Sequence, residues 1–183
     1  MTVQPNLLSS AITSLNASPA VRTSAGFGGT GVLRSIVGTS AALTTGNTAG
    51  GIVRLVRVAS NAMIQEVYWA VAASTTTFDC DVGVYYSNAL DGTTAANVAA
   101  ADTAIDADFF ASAVDMHTAS TLGWTAITFE KAAMLPAKCI QPLWQAVGLA
   151  SDPGGFLDIC FTNTSTTNGA PVPSCKVDFI MPA

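Results

Sequence analysis

Apolar and polar positions alternate most informatively between Gly51 and Ala72, a stretch that reads GIVRLVRVASNAMIQEVYWAVA. It holds two apolar runs rich in β-branched residues, Ile52–Val58 and Met63–Val71, joined by Ala59-Ser60-Asn61-Ala62. In the second run Met63, Val67, Trp69 and Val71 fall on one face, with Gln65 as the exception. Ile64, Glu66, Tyr68 and Ala70 fall on the other. A period of two with this residue usage predicts strands. The polar joint permits either a hairpin or a sharp bend. The first run is less regular, because Arg54 and Arg57 would lie on opposite faces. It reads either as an edge strand with a bulge or as a strand with one arginine buried in an interface.

Further along, Phe78, Cys80, Val82, Val84 and Tyr86 alternate with Asp79, Asp81, Gly83 and Tyr85 as a half-buried strand. The two aspartates share its outer face. A solvated face explains them better than Ca²⁺, which needs six or more oxygens gathered from several segments. Residues 88–101 form a Gly/Ala/Thr/Asn-rich excursion. In Asp102–Met116 the spacing of Ile105, Phe109 and Ala113 predicts one or two helical turns, with Asp102, Asp106 and Asp108 in the first turn. Trp124–Phe129 reads as a strand, and Pro142–Val147 as a short helix entered through its proline. Asp152-Pro153-Gly154-Gly155 is a turn signal. Phe156–Phe161 is a strand with Leu157, Ile159 and Phe161 inward. Cys175, Val177, Phe179 and Met181 alternate in a closing strand. Six or seven short strands separated by turns predict an all-β, antiparallel β-sandwich over residues 51–183.

Residues 1–50 differ in kind and read as an extended Gly/Ser/Thr-rich N-terminal arm. Leu7, Leu8, Ile12 and Leu15 have the spacing of a short helix. A polar, Gly-rich segment cannot repay its ordering entropy alone, so the arm is either a disordered tail or a tail that orders along a partner. Phe27, Val32, Leu33, Ile36 and Val37 favour the partner, since a free linker has no use for them. Gly26-Phe27-Gly28-Gly29-Thr30-Gly31 matches G-x-G-x-x-G. It lacks a preceding strand, a following helix and an acid about 20 residues on, so it reads as a bend rather than a dinucleotide site.

Charge sharpens the division. Only 10% of the residues are charged, against 50% hydrophobic, so much of the surface is Thr, Ser, Asn, Gly and Ala. That suits a chain whose surface meets other subunits. Residues 1–65 carry Arg22, Arg34, Arg54 and Arg57 and no acid. From Glu66 onward twelve acids face Lys131, Lys138 and Lys176, a balance of −9 that makes the net −5 with the +4 before it. A basic arm on an acidic body suggests docking on an acidic protein surface. Four dispersed arginines with one nearby aromatic make too weak a phosphate footprint for nucleic acid.

Chemistry is scarce. His117 is the single histidine and stands in no Ser/Cys–His–acid setting. No G-x-S-x-G, P-loop or H-E-x-x-H occurs. Cys80, Cys139, Cys160 and Cys175 form no C-x-x-C, which speaks against zinc and for free, buried thiols in a reducing compartment. No catalytic residue, cofactor or metal ligand is assigned. No signal-peptide pattern and no ~20-residue apolar run appears, so the expectation is a chain made in a cytoplasm with no membrane partner. Trp69, Trp124 and Trp144 read as core or interface residues; clustered on a surface they would stack a glycan.

Three segments resemble, in order, segments of small virion proteins from tailed phages and prophages. Phe78–Tyr86 carries D-x-G-x-Y through Asp81, Gly83 and Tyr85. Asp106–Met116 carries D-A-D-x-F through Asp106 and Asp108, with Phe109 at the x position and Phe110 closing the pattern. Pro142–Cys160 carries L-W-x-x-x-G-L-x-x-D-P-G through Leu143, Trp144, Gly148, Leu149, Asp152, Pro153 and Gly154. The resemblance spans residues 52–181 and leaves out the arm. It implies a β-sandwich or jelly roll attached to the icosahedral shell or another part of the virion, made in the host cytoplasm, and brings no catalytic residues. The expected role is a capsid decoration or cement subunit on the capsid surface. Its partners would be the major capsid protein and copies of itself. Arg22, Phe27, Arg34, Ile36, Arg54 and Arg57 are the candidate contact residues. The alternative is a receptor- or glycan-binding head of a fibre or spike.

Overall fold

Alternating apolar and polar positions, interrupted by bulges, build two facing sheets. The computed structural model describes residues 32–43, 49–72, 78–87, 104–117, 123–131, 133–165 and 170–182. The strands are β1 (Leu33–Thr39), β2 (Ile52–Ala59), β3 (Met63–Ala72), β4 (Asp79–Tyr86), β5 (Ala104–Asp115), β6 (Thr125–Ala126), β7 (Phe156–Asn163) and β8 (Val172–Ile180). One four-stranded sheet runs β1-β8-β3-β6 and the other β2-β7-β4-β5. All pairings are antiparallel, so the fold is the antiparallel β-sandwich that the alternation predicts. Pairing is nested along the chain: β1 with β8, β2 with β7, β3 with β6 and β4 with β5. The chain thus behaves as a ribbon doubled on itself and wrapped between the sheets.

The core lies between them. Ile64, Val67 and Val71 of β3, Val82 and Val84 of β4, Leu157, Ile159 and Phe161 of β7, and Cys175 and Val177 of β8 are all buried. Phe109 and Phe110 meet edge to face at 4.9 Å and cap this core from β5.

Two bulges explain the irregular runs. In β3 the register with β8 slips between Ile64 and Glu66, so Gln65 is the extra residue. Ile64 therefore joins Val67, Trp69 and Val71 on the inner face, and Met63 does not. In β2 the register slips between Arg54 and Val56. Leu55 is the extra residue, and Arg54 and Arg57 end on one face rather than two. The joint at Ser60–Ala62 is a bend between sheets, because β2 and β3 belong to different ones. It is held by Leu143 N–H to Ala62 O (2.8 Å), Trp144 N–H to Ser60 O (3.1 Å) and Ser60 Oγ–H to Asp152 Oδ1 (2.6 Å). Asp152 also accepts the Gly154 N–H at 2.8 Å, and Gly154 has φ +73°. The D-P-G segment thus clamps the bend, and α1 (Leu143–Ala146), entered from Pro142, donates to it.

Other expectations change. Ala104–Asp115 is a strand, not helical turns. Its pairing with β4 advances five residues, from Asp106 to Ala111, while β4 moves only from Val84 to Val82. The excursion breaks the period of two and leaves Ile105, Phe109 and Ala113 at helix-like spacing. Trp124–Phe129 contributes a strand at Thr125–Ala126 only. Beyond it the Thr128 hydroxyl, rather than a backbone carbonyl, accepts the Val67 N–H at 2.8 Å. A 3-10 turn at Pro136–Ile140 precedes α1. Leu33–Thr39 is β1, so an arm boundary at residue 50 would cut through the sandwich. Gly38 marks how closely β1 lies on β2: a Cβ there would sit 1.7 Å from the Leu55 carbonyl oxygen. The helical spacing of Leu7–Leu15, the Gly26–Gly31 run and the 88–101 excursion lie outside the described residues.

Candidate functional site

The outer face of the β2-β7-β4-β5 sheet carries the most developed polar arrangement. The Leu55 bulge sets Arg54 and Arg57 beside Asp158 of β7, which is buried. Arg57 grips it with two bonds, Nε to Oδ1 at 2.7 Å and Nη2 to Oδ2 at 3.0 Å. Arg54 Nη1 adds a bond to Oδ2 at 2.9 Å and one to the Tyr86 carbonyl at 3.0 Å. Hydrogen bonding to Asp158 pushes the Arg57 guanidinium further up. A carboxylate this buried requires such pairing, since desolvating a bare charge costs several kcal/mol. Arg54 also lies 5.9 Å from the Tyr85 ring centre. Arg54, Leu55, Val56, Arg57 and Asp158 line an open depression at the sheet edge.

Beside this cluster β5 folds over β4. Gly83 and Cys160 are cross-strand partners, so their outer sides face the same way. A Cβ on Gly83 would meet the Ala107 carbonyl carbon and Asp106 O at 2.2 Å, so the β5 backbone rests directly on that glycine. Cys160 of β7, beside Gly83, is buried, and burial pushes its thiol up to about 12. Asp81 accepts the Ala113 N–H at 2.7 Å and the Ser112 hydroxyl at 3.3 Å, holding the bend where Ala113 takes φ +50°. Lys131 pairs with Asp108 and holds its carboxyl below the ordinary range, whereas burial pushes Asp106 up. Tyr85 and Thr162 hydroxyls meet at 2.6 Å. The D-x-G-x-Y and D-A-D-x-F residues therefore belong to one packed arrangement, with Asp81 at the bend, Gly83 beneath β5 and Tyr85 against Thr162.

The contact residues chosen from sequence divide in space. Arg22 and Phe27 lie outside the described residues. Arg34 and Ile36 stand on β1, where Arg34 is exposed and Ile36 packs partly on the core. Arg54 and Arg57 stand on β2, across the sandwich but on the same margin, because Gly38 of β1 touches Leu55. What sequence reading missed is Asp158, the acid that both arginines hold. Its outward place in an alternating strand was visible, but not its burial.

His117 pairs with Asp115, and among the described residues no hydroxyl or thiol bonds to its ring. All four cysteines are free thiols, and burial pushes each of them up. Three other surfaces stand out. On β1 and just before it, Val32, Leu33 and Val37 are 65%, 61% and 54% exposed. Trp124 and Phe129 flank β6 and are also exposed, as are Leu135 and Ile140 around the 3-10 turn. Among the described residues no helix is long and apolar enough to cross a membrane.

No protein-family model matches this chain, and no curated protein matches it. Among solved structures, a chain of the cyanophage Pam1 capsid asymmetric unit matches with a TM-score of 0.50 at 16% sequence identity. The match covers 91% of this chain and 97% of that one. At such identity the likeness is one of fold.

Proposed function

We propose that the protein is a structural subunit of a tailed-phage virion, a decoration protein that binds the major capsid protein and stabilises the head from the capsid surface. The reading is carried by the fold likeness, along nearly the whole of both chains, to a chain of a phage capsid asymmetric unit. The nested pairing β1·β8, β2·β7, β3·β6, β4·β5 supports reading the sandwich as a jelly roll, an architecture used repeatedly in viral capsid domains. Fold alone does not give function. The surface supplies the second support: few charges, and exposed apolar side chains along β1, where the basic N-terminal segment enters the sandwich.

In this mechanism residues 1–31, with Arg22 and Phe27, lie on the major capsid protein, and Arg34, Ile36, Arg54 and Arg57 extend the contact along the β1–β2 margin. The sandwich meets copies of itself. Ordering an arm costs about 1–2 kcal/mol per residue, so one arm holds weakly and repetition over many copies makes the attachment durable. The role is structural and needs no catalytic group.

Removing residues 1–31, which leaves β1 intact, tests the reading. The expected result is loss of capsid occupancy and of capsid heat resistance, with the sandwich still folded. Occupancy and heat resistance equal to those of the full chain would refute it. A fibre or spike head is the second reading, favoured by the exposure of Trp124 and Phe129 on either side of β6. It requires a trimer stable without capsid and hits on a glycan array.

A further inference from the structure

We propose that Asp79, Asp115 and His117 form a binding site for a divalent transition-metal ion at the β4–β5 end of the sandwich. Asp79 opens β4, Asp115 closes β5, and the two are direct cross-strand partners. His117 follows two residues later. One donor atom from each of the three lies within 4.8 Å of the others. Bonds of about 2.0–2.2 Å around one ion set neighbouring donors roughly 3–3.5 Å apart. Small side-chain rotations therefore close the set, with no change in the backbone.

That backbone is already fixed. The Asp79 N–H donates to Ser165 Oγ at 3.1 Å, and its carbonyl accepts the Thr164 N–H at 2.9 Å. On the other strand the Met116 N–H donates to the Phe78 carbonyl at 2.8 Å. Like charges placed directly opposite on neighbouring strands are destabilising. Among the described residues no hydrogen bond or ion pair reaches the half-buried carboxylate of Asp79. Lys131, on the same sheet's outer face, is committed to Asp108. A cation between the two carboxylates would remove the repulsion and use the imidazole as its third ligand.

The donor set selects the ion. An imidazole nitrogen with two carboxylates suits zinc, manganese or a similar first-row ion, whereas Ca²⁺ and Mg²⁺ are held by oxygen alone. Three protein ligands leave room for water. The effect would be to tie the end of the bulged β5 to β4, a clamp distinct from the β1–β2 margin.

Isothermal titration of the full, chelator-stripped chain with zinc chloride tests the site, together with thermal unfolding in the same buffer. One ion per chain is expected. Zinc at about 100 times its Kd should raise Tm by roughly 5–10 °C, while magnesium should not. Asp79→Asn should weaken binding at least about tenfold, as loss of one ligand from a small set does. His117→Ala should abolish the shift while keeping the metal-free Tm, since the ring lies at the surface. The cysteines remain in that variant, so undiminished zinc binding by it would place the ion elsewhere and overturn the proposal. No heat and no Tm shift at millimolar zinc would overturn it too. Either failure leaves the capsid reading standing, because the metal triad plays no part in it.

Discussion

Gly83→Ala offers the sharpest test of how the outer face of the β2-β7-β4-β5 sheet is assembled. The added methyl would lie 2.2 Å from the Ala107 carbonyl carbon and Asp106 O, and 2.3 Å from Ala107 O. Ordinary contacts between such atoms are about 3.5–4 Å, so β5 must retreat by more than about 1 Å. Every atom struck is backbone, so no rotamer change relieves the clash. Overpacking usually costs about 1–3 kcal/mol, and a clash with backbone alone belongs at the upper end. For a chain of 183 residues, about 3 kcal/mol lowers Tm by roughly 6–12 °C. A second readout follows from the same geometry. Cys160 is the buried cross-strand partner of Gly83, next to the segment that must move. Wild type should label slowly at the half-buried Cys139 and resist at Cys80, Cys160 and Cys175. Gly83→Ala should gain one reactive thiol, and adding Cys160→Ala should remove it. A Tm within about 1 °C of wild type, with Cys160 still protected, would refute this account of the packing.

Asp158→Ala removes the acid that Arg54 and Arg57 share; both guanidiniums reach solvent, so the cost in urea unfolding should be about 1–3 kcal/mol, that of lost charge-assisted hydrogen bonds. Arg57→Ala should cost about 1 kcal/mol or less, because that side chain is partly solvated. Asp152→Ala removes the acceptor shared by Ser60 and Gly154 and should cost about 1–2 kcal/mol in the same assay. Asp106 has a folded-state pKa above its unfolded value, so the folded state disfavours its charged form. Asp106→Asn should therefore raise Tm near pH 7, with the gain fading as pH falls below both values. Asp108 is shifted the opposite way by Lys131, so its contribution is present at neutral pH and lost as pH falls through its lowered value. Asp108→Asn should lower Tm near neutrality and match wild type in acid, as a pH series of melts would record.

Much of the sandwich was legible because β4, β7 and β8 alternate without interruption. Val82 and Val84, Leu157, Ile159 and Phe161, and Cys175 and Val177 point inward as the period requires. Bulges limited the rest. Gln65 broke the pattern of β3 and Leu55 that of β2, each leaving one residue out of phase. The second case made Arg54 and Arg57 look opposed when they share one acid. In β5 the excursion over Gly83 was long enough to imitate helical spacing, since Phe109 and Phe110 cap the core instead of alternating. β1 escaped notice because its outward positions include Leu33 and Val37 and its inward ones include Gly38, which erases amphipathic contrast. The proposed metal ligands could not have been found from spacing, as Asp79 and Asp115 meet only through strand pairing.

The central claim is attachment to a capsid. Co-sedimentation of the purified protein with capsids lacking it, over a salt series, addresses that claim most directly. The account predicts saturable binding that weakens as salt rises, because arginines supply part of the contact. Absence of binding at low salt, with the protein remaining a stable free oligomer, would contradict it.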